Sequence, residues 1–127
     1  MKVLVDTHVF LWAITSDSRL SKKHRALWLN ESSDLYLSAA SVWELLIKAG
    51  IGKLPLPSPH GEYILRQMEL NRLTLLGIRP AHFSELESLP PLHRDPFDRM
   101  LVAQARAEEM PVATADPVFR RYHARVV

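Results

Sequence analysis

Four carboxylates stand where apolar runs begin or break: Asp6 after "KVLV", Glu44 in "SVWELLIKAG", Asp98 in "HRDPFDRMLVAQA" and Asp116 after "PVAT". Carboxylates crowded together repel one another, so a set that converges in space implies a compensating cation. With no cysteine and no pair of histidines at metal spacing, oxygen ligands suit Mg²⁺ or Mn²⁺ rather than zinc. Ions held by a few carboxylates and several waters serve phosphodiester hydrolysis, where they activate a water and neutralise the phosphate. Each acid also has a structural reading. Asp6 and Asp116 can cap the helices that follow them, Ser41 and Glu44 have the spacing of a capping box, and Asp95, Pro96 and Asp98 together read as a helix start. Taken jointly the structural readings weaken, because Ser, Thr or Asn serves a cap as well as Asp does.

The elements that must position these acids follow from the pattern of apolar residues. "KVLV" reads as a first strand, "HVFLWAI" as a first helix and "RLSKKHRALWLNES" as an amphipathic one. "LYLS" is a second strand, and "SVWELLIKAG" a helix capped by Ser41 and stopped by Gly50, which puts Glu44 in its first turn. The proline loop "KLPLPSP", the helix "GEYILRQMELNR" and the strand "LTLLGI" come next. After "RPAHFSELESL" and the turn "PPLHR" the helix of "HRDPFDRMLVAQA" begins; "PVAT" is a fourth strand, "DPVFRRY" a short helix and "ARVV" a closing strand. Strands alternating with helices predict an α/β domain, a mainly parallel sheet of about four to five strands flanked by helices, because parallel neighbours need crossovers. In such a sheet the strand ends and helix starts meet on one rim, where ligands bind. All four acids fall on that rim.

A length of 127 residues predicts a single domain over residues 1–127 with a real core. The absence of cysteine excludes a disulfide framework and thiol nucleophiles, and fits a cytoplasmic location. Asp6 and His8 interrupt the apolar amino terminus, and no apolar run reaches membrane-spanning length, so neither a signal peptide nor a membrane span is expected. A net charge of +2 is a weak argument for nucleic acid by itself, although "SKKHR" and "FRRYHAR" cluster the cations. Other chemistries that use an acidic rim fit less well. An aspartyl-phosphate phosphatase wants a second Asp where His8 stands, a phosphoreceiver wants one after the third strand where "LTLLGIRP" has none, and a dinucleotide-binding domain wants a glycine loop.

The stretches "VLVDTHVFLW", "SAASVWELLIKAGIGKL", "HRDPFDRMLVAQA" and "VATADPVF" resemble the four successive motifs of PIN-domain ribonucleases, in particular the VapC-like toxins of toxin–antitoxin pairs. The likeness runs from residue 3 to about residue 119. It implies the three-layer PIN fold and a Mg²⁺- or Mn²⁺-dependent endoribonuclease with Asp6, Glu44, Asp98 and Asp116 as its acidic set. Asp6, Asp98 and Asp116 would hold one or two ions with help from Glu44, and products would carry 5′-phosphate and 3′-hydroxyl ends. The resemblance further implies an RNA substrate, a cognate antitoxin that occludes the acidic cluster, operator DNA bound only through the antitoxin complex, and a homodimer. A non-catalytic RNA- or partner-binding module of the same fold is the alternative.

Around the acids, Thr7 and Thr114 can hydrogen-bond a carboxylate or serve ordinary turns. Asp95 is additional to the family's acids and reads as a cap or a supporting group. His8 reads as packed or as a proton shuttle, and His93 with Arg94 as a solvated loop or a neighbour of phosphate. Arg99 has two readings, a partner for Asp95 or a grip on phosphate. Candidates for a basic RNA track are Lys48, Lys53, Arg94, Arg99, Arg120 and Arg121. Trp12, Trp28 and Trp43 are interleaved with aliphatics, which assigns them to the core ahead of base stacking.

Overall fold

The computed structural model describes all of residues 1–127. Four parallel strands form one sheet in the order β3-β2-β1-β4: β1 (Lys2–Val5), β2 (Asp34–Ser38), β3 (Thr74–Leu76) and β4 (Val112–Ala113). Its register pairs Val3 with Leu35, Leu4 with Val112 and Leu37 with Leu75. Around it lie α1 (Thr7–Ile14), α2 (Lys22–Leu29), α3 (Ala39–Gly50), α4 (His60–Leu70), α5 (Pro80–Ser88), α6 (Pro96–Glu108) and α7 (Val118–Arg121). No helix is long and apolar enough to cross a membrane.

The strands are apolar at successive positions because both faces of the sheet are covered. Side chains alternate between the faces, so Val3, Val5, Leu35 and Leu37 enter one core with Phe10, Leu45 and Ile64 from α1, α3 and α4. Leu4 and Val112 enter the other, with Leu101, Val102 and Phe119 from α6 and α7. The result is the expected three-layer α/β arrangement. Both layers are anchored on β1, whose carboxyl end delivers Asp6 to the rim.

Two local expectations are corrected, and a stretch with no element predicted for it forms a helix. The closing strand "ARVV" is a single parallel bridge between Val112 and Val126, since β4 is too short to template a longer ladder. "PAHFSELES" forms α5, a helix without a clear apolar period that is held instead by its buried His82: the ring accepts from Arg79 N at 3.0 Å and donates to Glu108 of α6 at 2.8 Å. Gly50 remains inside α3, and the glycine that turns the chain is Gly52, at a φ of 78° that L side chains rarely adopt.

Candidate active site

The end of β1 supplies a carboxylate with two jobs. Asp6 caps α1, its Oδ1 accepting from Val9 N at 2.8 Å, while its Oδ2 accepts from the Thr114 hydroxyl just past β4. Thr114 Oγ1 in turn accepts from Asp116 N at 3.0 Å. One hydroxyl therefore ties the first acid to the backbone of the fourth, and the capping and site readings of Asp6 hold together. Burial pushes the Asp6 carboxyl above its usual range, against the opposing pull of the Thr114 and Val9 hydrogen bonds.

The start of α6 divides the charges of "HRDPFDR" between two roles. Asp95 is the N-cap, its Oδ1 accepting from Phe97 N at 2.8 Å and Asp98 N at 3.3 Å. The Asp98 side chain turns away from the cap to His93, whose Nε2 lies 2.9 Å from Asp98 Oδ2 and 3.9 Å from Asp116 Oδ2. His93 Nδ1 accepts from Asp95 N at 3.3 Å, so Nε2 carries the proton and donates to Asp98. Ligand atoms of His93, Asp98 and Asp116 all lie within 4.8 Å of one another. The Asp98 carboxyl is pushed up to about 6, first by burial, then by the charges of Asp95 and Glu44; His93 pulls it down and Asp6 adds a further push. The part of that rise owed to Asp95, Glu44 and Asp6 is like-charge repulsion, which a cation bound there would relieve. The place of His93 in this cluster is not apparent from sequence; the only signal is its position two residues before the cap and five before Asp98.

Because Asp95 closes the helix while Asp98 faces the site, Asp95→Ala is expected to cost about 0.5–2 kcal/mol. If the cluster takes Mn²⁺, the change that Mn²⁺ makes to the variant's stability should match its change to the wild type's. Chemical denaturation with and without Mn²⁺ checks both parts, and a lost Mn²⁺ response would move Asp95 into the site.

Glu44 sits differently from expectation. β2 runs straight into α3, and Ser38 at the strand end is the cap, its Oγ accepting from Ala40 N at 3.0 Å. Ser41 is thus a buried residue inside the helix, and Glu44 lies beyond its first turn. The Glu44 carboxylate is 2% exposed, with Lys48 Nζ at 2.6 Å from Oε2 and Thr7 Oγ1 at 3.0 Å from Oε1. Thr7 has one hydroxyl proton, so donating to the acceptor-only carboxylate leaves it to accept from Ser41, 2.9 Å away. Thr7 therefore serves Glu44 rather than Asp6, and Lys48 is committed to the same carboxylate.

The remaining candidates scatter. Arg99 pairs with neither Asp95 nor open solvent: it donates to Pro90 O at 2.9 Å and Tyr122 Oη at 3.2 Å, pinning the loop before α6 to the helix. Arg94 is exposed beside His93, Arg120 and Arg121 are exposed on α7, and Lys53 is exposed after α3. His8 is exposed rather than packed. Trp12 and Trp28 pack partly buried against the first core, but Trp43 is 60% exposed, touching Phe97 edge-on at 5.3 Å between ring centroids. Trp43 lies two positions from the buried Ser41 and Leu45, which puts it on the opposite, outer face of α3.

The sequence matches the PIN domain family over residues 3–124. The chain belongs to that family. Within it, 58 residues are 36% identical to Ribonuclease VapC16 of Mycobacterium tuberculosis, a match covering 46% of this chain and only 41% of that protein. Among solved structures, the PIN fold seen here is similar to VapBC2 from Rickettsia felis bound to a DNA fragment from their promoter, at a TM-score of 0.70 and 18% identity over 99% of this chain and 96% of that one. It is also similar to FitAcB from Neisseria gonorrhoeae, at a TM-score of 0.67 and 21% identity over 98% and 95% of the respective chains. At these identities the structural likeness concerns the fold alone.

Proposed function

We propose that this PIN-domain protein is a Mg²⁺- or Mn²⁺-dependent endoribonuclease acting as the toxin of a toxin–antitoxin pair. The observation that carries the reading is the convergence of Asp98, Asp116 and His93, whose ligand atoms lie within 4.8 Å of one another in a half-buried cluster, with Asp6 tied to the Asp116 backbone through Thr114. The upward push on the Asp98 carboxyl from the charges of Asp95, Glu44 and Asp6 accords with it. Hard oxygen donors with a single imidazole suit Mg²⁺ or Mn²⁺. Asp98 and Asp116 would hold the ion, with Asp6 as the third acid, and Thr114 fixes the relation between Asp6 and the Asp116 backbone. When bound, such an ion lowers the pKa of water and neutralises charge on a phosphodiester. Glu44, neutralised by Lys48, shapes the field of the cluster and orients Thr7. His93 holds a proton on Nε2 between Asp98 and Asp116, placed to be displaced or redirected as the cluster gains positive charge.

Support for RNA as substrate comes from the name of the ribonuclease relative, and support for an antitoxin partner and operator DNA from the VapBC2 assembly on promoter DNA. A homodimer and a cytoplasmic location complete the proposal.

Millimolar Mn²⁺ should raise the melting temperature by mass action, and EDTA should stop RNA cleavage. Products should end in 5′-phosphate and 3′-hydroxyl, read by their susceptibility to a 5′-phosphate-dependent exonuclease. Cyclic 2′,3′-phosphate ends would show attack by the ribose hydroxyl and sink the mechanism. No Mn²⁺ effect on either melting or RNA would instead leave a binding module.

A further inference from the structure

Next to Glu44 the surface opens into a cavity of about 340 Å³ between α1, α3 and the proline loop, lined by Thr7, His8, Trp12, Arg19, Lys48 and Lys53 among others. Its size lies in the range of about 300–1,000 Å³ usual for small-ligand pockets. Two of its lining residues, Thr7 and Lys48, are the hydrogen-bond partners of Glu44, so the cavity lies against the side chains that hold Glu44, whose charge reaches Asp98.

Flat groups dominate one wall. The His8 and Trp12 rings stand 5.9 Å apart at an interplanar angle of 43°, and the Arg19 guanidinium lies 5.3 Å from the centre of the Trp12 ring. Arg19 is held in that plane by Asp17, through Nε at 3.0 Å and Nη2 at 2.7 Å. Lys53 stands exposed at the cavity and enters no ion pair, in contrast to Lys48. Aromatic faces and guanidinium planes stack unpaired bases, and a free cation beside them takes backbone phosphate. Trp12 packs part of its indole against the first core and leaves the rest at the cavity, whereas the exposed His8 imidazole, the Arg19 guanidinium held by Asp17 and the unpaired Lys53 take no part in that core.

We propose that this cavity is a nucleotide subsite for single-stranded RNA, in which a base next to the scissile phosphate stacks on the His8–Trp12–Arg19 wall and its phosphate meets Lys53. The proposal rests on the ribonuclease reading of the adjoining acids. It also divides the six basic candidates: Lys53 contacts nucleic acid here, whereas Lys48 and Arg99 serve the protein.

The test is binding of a fluorescein-labelled, unstructured RNA of about ten nucleotides in EDTA, followed by anisotropy, with cleavage in Mn²⁺ measured separately. Trp12→Leu keeps bulk without a π face and should weaken binding about 5-fold or more, Trp12→Phe should restore most of it, and Lys53→Ala should weaken binding and lower its salt dependence. In cleavage these variants should raise KM more than they lower kcat, with the Mn²⁺ shift of the melting temperature unchanged. If the wild type cleaves RNA and Lys53→Ala and Trp12→Phe/Leu all bind as it does, the subsite is wrong and the nuclease stands. If the wild type binds the RNA through Trp12 and Lys53 but cleaves nothing, the subsite stands and the nuclease reading falls. Absence of both binding and cleavage overturns both. Should Trp12→Leu not fold, Lys53→Ala in the binding assay together with the indole N–H signal of Trp12 in the wild type, assigned by its loss in Trp12→Phe, decides the same question: that signal should shift on titrating RNA, and an unmoved signal with Lys53→Ala binding as the wild type does would overturn the subsite.

Discussion

Asp98→Asn is expected to make the metal-free protein more stable and the enzyme at least about 100-fold slower, the latter from losing several kcal/mol of charge stabilisation at the reacting phosphate. The folded protein raises the Asp98 carboxyl from 3.8 to about 6, chiefly by burial and then by Asp95 and Glu44. A raised carboxyl binds its proton more tightly folded than unfolded, so its contribution to stability is fully present below the ordinary value and is lost as pH rises through about 6. Asparagine has no such proton to lose. In EDTA the stability of the variant relative to wild type should therefore improve between about pH 4 and 6 and level off above, with a gain of about 1–2 kcal/mol once partial solvent exposure is allowed for. In saturating Mn²⁺ the order should reverse, because only the wild type gains the binding free energy, about 2.7 kcal/mol at a hundredfold excess over Kd. Urea denaturation across pH, with EDTA or Mn²⁺, reads both halves. A variant less stable than wild type in EDTA at pH 8 would show that Asp98 is a helix-start residue and not a member of a repelling cluster.

Lys48→Met should be the most destabilising single change near the site, because it leaves the Glu44 carboxylate buried without its cation. Removing one partner of a fully buried pair costs about 3–5 kcal/mol. Lys48 is 41% exposed, which lets water replace part of its effect and brings the expectation down to about 1–3 kcal/mol. The cause is separable from lost packing. Adding Glu44→Gln removes the stranded charge while keeping an acceptor for Thr7, so the double variant should recover much of the loss, a coupling that a double-mutant cycle isolates. Recovery would establish that Lys48 neutralises Glu44; purely additive losses would show that the lysine stem, not its charge, supports α3.

The order of the four strands and most of the helices, the parallel sheet and the placing of Asp6, Asp98 and Asp116 on its carboxyl rim were legible in the sequence, because apolar periodicity and turn residues act over a few positions. β1 ends at Val5 with Asp6 at the helix start, and α6 starts at Pro96 behind its Asp95 cap, both written within a handful of residues. The choice of Ser38 over Ser41 as the cap of α3 was not: both serines have suitable spacing, and the one that caps is the one at which pairing with β1 and β3 ends. α5 likewise lacks a period of its own and depends on Glu108, 26 residues away, to hold His82.

What the carboxylates touch was decided by tertiary structure alone. Asp6 meets Thr114 across 108 residues, and Thr7 meets Glu44 across 37. No local signal reports such contacts, since they exist only after the sheet has brought distant strand ends together. The same closure turned Arg99 inward to Tyr122 and set His93 between Asp98 and Asp116. Sequence determines which residues can ionise, cap or stack; the packing of β1 between β2 and β4 determines which of those charges share a field, and so which of them can do chemistry.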